Sequence, residues 1–465
     1  MTNTHYHHHR FRTDAPHFTL LLAGANTYTG ETIVNAGTLR VSAADRIASG
    51  SLTVDGSTAV FDIQSFTDSV GAVSLRGNGS LSGTGTLTGT SYAFESGTAS
   101  LNLAGASSAL TKTTSGIVTM TGTNTFGGGT TLSQGTIRAG SNTAFGSGSI
   151  TINGGKISSN GTTARTFSNS YTVGGNAELG DATDTGALTF SGAGTLTGNR
   201  TVTINSSVTL SGVIGESGGA QRLTKAGSGT LTLSGSNSYT GGTTVSAGNL
   251  VLGASERLAN AGSVTVSGGT FDIASFNETV GGVSLTSGSI VGTSGVLTGT
   301  SYSVESGSIS AILGGTEALT KSTAGTVTLS GANAYTGGTT VSDGTLAFGA
   351  SNVLTDGGSV NVNGGTLNIS TFSDTVGAVT LTSGSIVGTS GVLTGSSYSV
   401  QSGNVSAILG GVGVALTKTT GGSVTLSGAN TYGGGTTVSA GTLVLGNSNV
   451  LADAGAVAVS GGTLD

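Results

Sequence analysis

Few side chains in this sequence could carry out a reaction, and their placement narrows the choices further. Cysteine is absent, which removes thiol nucleophiles, disulfides and zinc–thiolate sites together. The segment Gly215-Glu216-Ser217-Gly218-Gly219 has the G-x-S-x-G spacing of a serine nucleophile. That chemistry needs an imidazole base, and no histidine follows His17, so Ser217 reads as a turn residue. Glu178, Asp181 and Asp184 form the densest acidic group, the chemistry of a Ca²⁺ site or of a glycosidase carboxylate pair. The GGxGxDxUx calcium repeat is missing, and no Arg or Lys flanks the group between Arg165 and Arg200; a solvated loop is expected. No catalytic, cofactor-binding or metal-binding residue is assigned, and no cofactor is expected.

All five histidines, His5, His7, His8, His9 and His17, fall in residues 1–18. Such a tract could bind Zn²⁺, Ni²⁺ or Cu²⁺. The favoured reading is a non-repeat, unstructured leader. A secretion signal is a third reading, with Arg10 and Arg12 ahead of an apolar FTLLLAGA core and cleavage at Ala23-Gly24-Ala25.

What must position any of these groups is a repeat. The phrase GANTYTGETIVNAGTLRV begins at Gly24 and returns at Gly122, Gly235, Gly331 and Gly428, with spacings of 98, 113, 96 and 97 residues. A second phrase, LTKAGSGTLTLSG at Leu223, has copies at Leu110, Leu319 and Leu416. A third, FDIASFNETVGGVSL at Phe271, has copies at Phe61 and Leu367, and the unit 122–234 lacks it. The copies also compare chemistry. Asp68, Glu278 and Asp374 share a position, as do Glu95, Glu305 and Gln401, and Asp62, Asp272 and Asn368. Exchange of acids with amides predicts an exposed polar face. Lys112, Lys225, Lys321 and Lys418 recur and read as solubilising or edge-protecting charges, too far apart for one small-molecule site. Asn26, Asn124, Asn237, Asn333 and Asn430 each precede, by one intervening residue, Tyr28, Phe126, Tyr239, Tyr335 and Tyr432. These pairs predict a corner, with Asn bonding its own backbone and the ring covering the core, rather than a stacking platform for sugars.

Within a unit the pattern alternates apolar residues with Ser, Thr or Gly, as in TLTLSG and TTVSAG, the signature of short half-buried strands. About eleven such strands are expected between Gly235 and Ser330, with almost no helix. The chain has 85 Gly in 465 residues, 8% charged residues and no Trp, which suits neither collagen, nor a disordered tail, nor an aromatic-cored sandwich. Only 15 Lys and Arg argue against nucleic-acid binding. A propeller blade repeats at ~40–50 residues, not at ~97. The remaining architecture is all-β: a parallel β-helix, or β-solenoid, spanning 19–465, with four coils of roughly 24 residues in each unit.

At the run from Leu223 to Gly253 and its copies at Leu319 and Leu416, the chain resembles the passenger-associated repeats of bacterial autotransporters. The resemblance implies a right-handed parallel β-helix exported through the outer membrane of a Gram-negative bacterium and displayed at the cell surface or released. It implies an outer-membrane β-barrel translocator as partner, not contained in this chain. GGTLD at the end aligns with GGTLN at Asn368, so both ends read as truncated within the repeat array. The expected function is a non-enzymatic stalk or adhesin scaffold whose repeats support stepwise folding during export, with surface glycans or proteins as ligands. The alternative is a secreted β-helix protein that binds or cleaves polysaccharide, its site in the atypical unit 122–234.

Overall fold

The computed structural model describes residues 11–13, 17–47, 49–452 and 455–465. His5, His7, His8 and His9 lie outside the described residues, as does most of the proposed leader. Phe11–Thr13 is described, as a strand in parallel register with Thr32–Val34. The chain divides into two compact units, Met1–Gly241 and Gly242–Asp465. Among the described residues there is no helix.

Each compact unit is a parallel β-solenoid with three walls. In the first, one wall stacks Thr32–Val34, Leu52–Asp55, Ala72–Arg76, Ser91–Phe94, Leu110–Lys112 and Thr130–Leu132, and continues to Ile214–Glu216. A second wall stacks Thr19–Leu22, Gly37–Val41 and Ala59–Asp62, and continues to Leu223–Ala226. The third holds Thr67–Ser69, Thr86–Thr88 and Asn102–Ala104, then corner loops, then Arg165–Phe167, Leu188–Phe190, Val208–Leu210 and Thr230–Leu233. The alternating sequence dictates this arrangement. In Thr326–Leu329, for example, Val327 and Leu329 are fully buried while Thr328 points outward. Every coil offers the next a row of apolar side chains on the inside and a ladder of free backbone donors and acceptors along its edge.

The coil is smaller than the sequence suggested. In the second compact unit one wall steps from Leu319–Lys321 through Thr339–Val341, Val360–Val362, Ala378–Leu381 and Ser397–Val400 to Leu416–Lys418. That is five steps between equivalent positions of two successive copies. A repeat therefore has five shorter coils, not the four longer ones expected. Eleven strands do occur between Gly242 and Ser330, but Val264–Asp272 and Gly282–Val291 each turn a corner and serve two walls, and corner loops stand in for other strands.

The atypical repeat changes the phase of the array. Leu110–Lys112 lies on the first wall, whereas its copy Leu223–Ala226 lies on the second, paired with Arg200–Ile204. The longer spacing between these two copies thus makes five coils and one further wall. The recurring side chains of the later copy face a different direction from those of the earlier one.

If five coils are the indivisible period, excision of residues 319–415 joins equivalent positions. The shortened protein should keep its strand-rich circular dichroism and lose no more than about 5 °C of melting temperature. An unfolded product would refute the five-coil period.

Candidate functional site

The recurring lysines are not surface charges. Lys112, Lys225, Lys321 and Lys418 are fully buried. Their ammonium groups point into the corner that follows the strand and donate to backbone carbonyls. Lys112 reaches Thr114 O, Lys225 reaches Ala226 O at 3.0 Å and Gly227 O at 2.7 Å, Lys321 reaches Thr323 O and, at 3.2 Å, Asp343 O. Lys418 does the same with Thr420 O and, at 3.2 Å, Ala440 O. The brace at Lys321 and Lys418 therefore ties one corner to the corner of the next coil. Burial lowers the ammonium pKa at all four, at Lys225 to about 8. The geometry also explains a glycine that recurs at one fixed spacing after each lysine, at Gly135, Gly248, Gly344 and Gly441, always with positive φ. At Gly344, with φ +61°, a Cβ would lie 2.3 Å from Thr323 O and from Gly325 O. The expected reading as edge protection is wrong for a physical reason: a row of carbonyls turned inward at a corner needs a donor, and lysine is long enough to supply one.

The carboxylates expected on a polar face divide three ways. Glu95 is exposed, and Glu305 and Gln401 are partly so. Asp62, Asp272 and Asn368 each accept the N–H of the residue two positions on, at 2.7–3.0 Å, and so cap a turn in which that residue has positive φ. Asp68, Glu278 and Asp374 are 2%, 1% and 2% exposed, contrary to the expected exposed face. Asp374 Oδ2 accepts the N–H groups of Val353 and Leu354 at 2.9 and 3.0 Å, and Asp68 Oδ2 accepts those of Arg46 and Ile47 at 2.9 Å each. The coil below completes the arrangement. Asn333 accepts the Leu313 N–H at 2.9 Å and donates to Val353 O at 2.7 Å. A corner loop without its own strand is thus held between an asparagine on one coil and a carboxylate on another. Asn124 and Asn430 bridge coils in the same way. Asn26 also reaches its own backbone, at Gly24 O, but at Asn124, Asn333 and Asn430 bridging between coils takes the place of the expected self-bonding. Sequence reading missed that Asn333 and Asp374, which stand in different phrases of the repeat, form one device.

The aromatic partners of these asparagines do cover the core. Phe126, Tyr335 and Tyr432 are 0–1% exposed, and they pack on Tyr92, Tyr302 and Tyr398 at ring-centroid distances of 5.5, 5.9 and 5.9 Å. These three rings keep no face for a sugar, whereas Tyr28 is partly exposed, its hydroxyl 2.6 Å from Thr32 Oγ1. Tyr302 accepts the Gly299 N–H at 2.7 Å and donates between Leu297 O and Gly314 O, at 2.9 and 2.6 Å. Tyr92 and Tyr398 have the matching three partners. Tyr171 occupies a fourth Ser-Tyr strand, in the atypical repeat, where Ser168 replaces the glycine three residues earlier. Its hydroxyl is buried with no hydrogen-bond partner.

The two candidate reaction centres resolve differently. Ser217 is an exposed turn residue, and Glu216 beside it accepts the N–H groups of Gln221 and Thr240 at 2.6 and 2.9 Å. The acidic group does border a partly exposed loop, but its carboxylates are paired and not simply solvated. Folding brings Lys156 Nζ within 2.7 Å of Glu178 and 2.8 Å of Asp181, and Arg138 Nε within 2.7 Å of Asp184. Lys156, together with the hydroxyl and N–H that Thr183 donates, holds the Asp181 carboxyl well below the usual carboxylate range. Such a carboxylate is a poor general acid. Neither cation was visible as a partner in the sequence, because each comes from an earlier coil.

Five stretches, residues 19–41, 110–139, 223–252, 319–348 and 416–445, match the model of the passenger-associated-transport-repeat family. No curated protein and no solved structure matches the chain.

Three outcomes are expected. Tyr302→Phe should lower stability by about 1–3 kcal/mol in thermal unfolding, because a buried N–H and two carbonyls lose their partner. Tyr171→Phe should leave stability unchanged or raise it; equal losses at both positions would contradict the structure. For Asp374, burial raises the carboxyl pKa to about 6 against the hydrogen bonds from Leu354 and Val353, and Asp356 adds repulsion. Its Oδ1 is buried without a hydrogen-bond partner, so a proton there leaves the two Oδ2 bonds intact. The folded state then holds a proton that the unfolded chain releases, and stability falls as pH rises from about 4 to about 6. Asp374→Asn should flatten that part of the pH–stability curve, by roughly 1–3 kcal/mol between its ends. An unchanged slope would exclude this carboxyl as its source.

Proposed function

We propose that this chain, a β-solenoid into which five passenger-associated-transport repeats are built, is a non-enzymatic autotransporter passenger segment, displayed at the surface of a Gram-negative cell or released from it. It serves as a stiff scaffold delivered by an outer-membrane translocator. One observation carries the reading. Among the described residues, the lysines, asparagines, tyrosines and buried acids that recur with the repeat are engaged in bonds between coils or across a corner, and they do not converge on a substrate-sized opening. A repeat that satisfies itself coil by coil also suits stepwise folding, since each new coil needs only the one before it.

Intact cells producing the protein with its translocator provide the test. Added protease should remove it from the surface, and the purified protein should show no turnover in a hydrolase and lyase screen on polysaccharides. Protection from protease in intact cells would refute surface display. Turnover lost in Asp181→Asn or Asp184→Asn would establish a polysaccharide-cleaving enzyme instead.

A further inference from the structure

The coil that contains Tyr171 is under-packed inside and clamped outside, on opposite sides of the same strand. Ala177 and Leu179 of Ala177–Leu179 point inward and, with Tyr171, line an apolar cavity of about 20 Å³. No polar atom is exposed to this cavity, so it cannot hold a water well, since a buried water needs two to four polar partners. On the preceding strand of the same coil, Tyr171–Val173, the Tyr171 hydroxyl lacks the hydrogen bonds that its counterparts Tyr302 and Tyr398 make. The ladder outside is short as well. Ala177–Leu179 pairs with Lys156–Ser159 at two positions, Lys156↔Glu178 and Ile157↔Leu179, whereas Lys156–Ser159 pairs with Thr136–Ala139 at four.

Charges lie where the ladder is short. Glu178, between the two cavity-lining residues, points outward to Lys156, and Asp181 just beyond the strand meets the same ammonium. Asp184 reaches Arg138 two coils back and accepts the Gly161 N–H at 3.1 Å. The loop from Gly180 to Ala187 is thereby stitched across three coils. The side chains of Lys156 and Asp181 remain 25% and 18% exposed, so dissolved ions can reach them.

We propose that the seam between Lys156–Ser159 and Ala177–Leu179 is a salt-sensitive latch: ion pairs outside hold shut a coil that is under-packed inside, and screening them lets that coil open before the rest of the first compact unit. Opening exposes the apolar lining between Tyr171 and Leu179 without unfolding the walls on either side.

Hydrogen–deuterium exchange on the full chain, in about 0.05 M and about 1 M potassium chloride, tests this. The amides of residues 171–179 should exchange roughly tenfold faster at high salt, while those of Leu52–Asp55 in the same unit stay unchanged. Lys156→Met should reproduce the high-salt rate at low salt. Ala177→Val, which fills the cavity, should slow exchange at both salt concentrations. Salt-independent exchange at 171–179, or equal acceleration at Leu52–Asp55, overturns the latch. The salt comparison uses the unaltered chain, so a variant that fails to fold does not decide the matter.

Discussion

One constraint governs this molecule: a coil has no interior of its own. A single lap of chain, bent into three short walls, encloses only a few apolar side chains per wall and leaves a whole ladder of backbone groups open along each edge. Only another coil can cover both at once. The in-register parallel pairing from Leu319–Lys321 to Leu416–Lys418 is the result. It makes stability local, because each layer depends on its neighbours and not on a distant part of the chain.

The same constraint sets the chemistry of the corners. Walls satisfy their own backbone, but a corner turns carbonyls and N–H groups away from the ladder, and some of them inward. Burying these without partners costs about 1–3 kcal/mol each. The repeat meets that cost with long or forked polar side chains from adjacent layers. Lysine donates to carbonyls, an acid accepts two N–H groups, asparagine does both, and tyrosine bridges three groups at once. These residues resemble a scatter of reactive groups only when the coils are ignored. In place they form an internal bonding system that ties each coil to its neighbours.

The atypical repeat departs from this system at identifiable points. A glycine corner becomes Ser168, the Tyr171 hydroxyl is left without partners, and the extra residues advance the array by one wall. Outside the same stretch, Arg138 and Lys156 meet three carboxylates. Ion pairs in partial contact with water are weaker and more sensitive to salt than apolar packing. A stack of near-identical layers thus contains one layer with a different balance of forces.

The fold class was legible in the residues themselves. Alternation with a period of two, glycine at the turns and the long-period recurrence of whole phrases leave a solenoid as the architecture that accommodates all three. What the sequence could not show was depth. Lys321 and Asp374 carry charges, and a charged residue in a polar stretch reads as exposed; only the stacked corner reveals the carbonyls and N–H groups that draw them inside. Nor could it show partners from other layers. Lys156 and Asp181 stand on successive laps, and they meet because one coil rises onto the next. Periodicity along the chain determines that there are walls, but the length of chain needed to close a lap is fixed by corner geometry, which exists only once the laps are stacked.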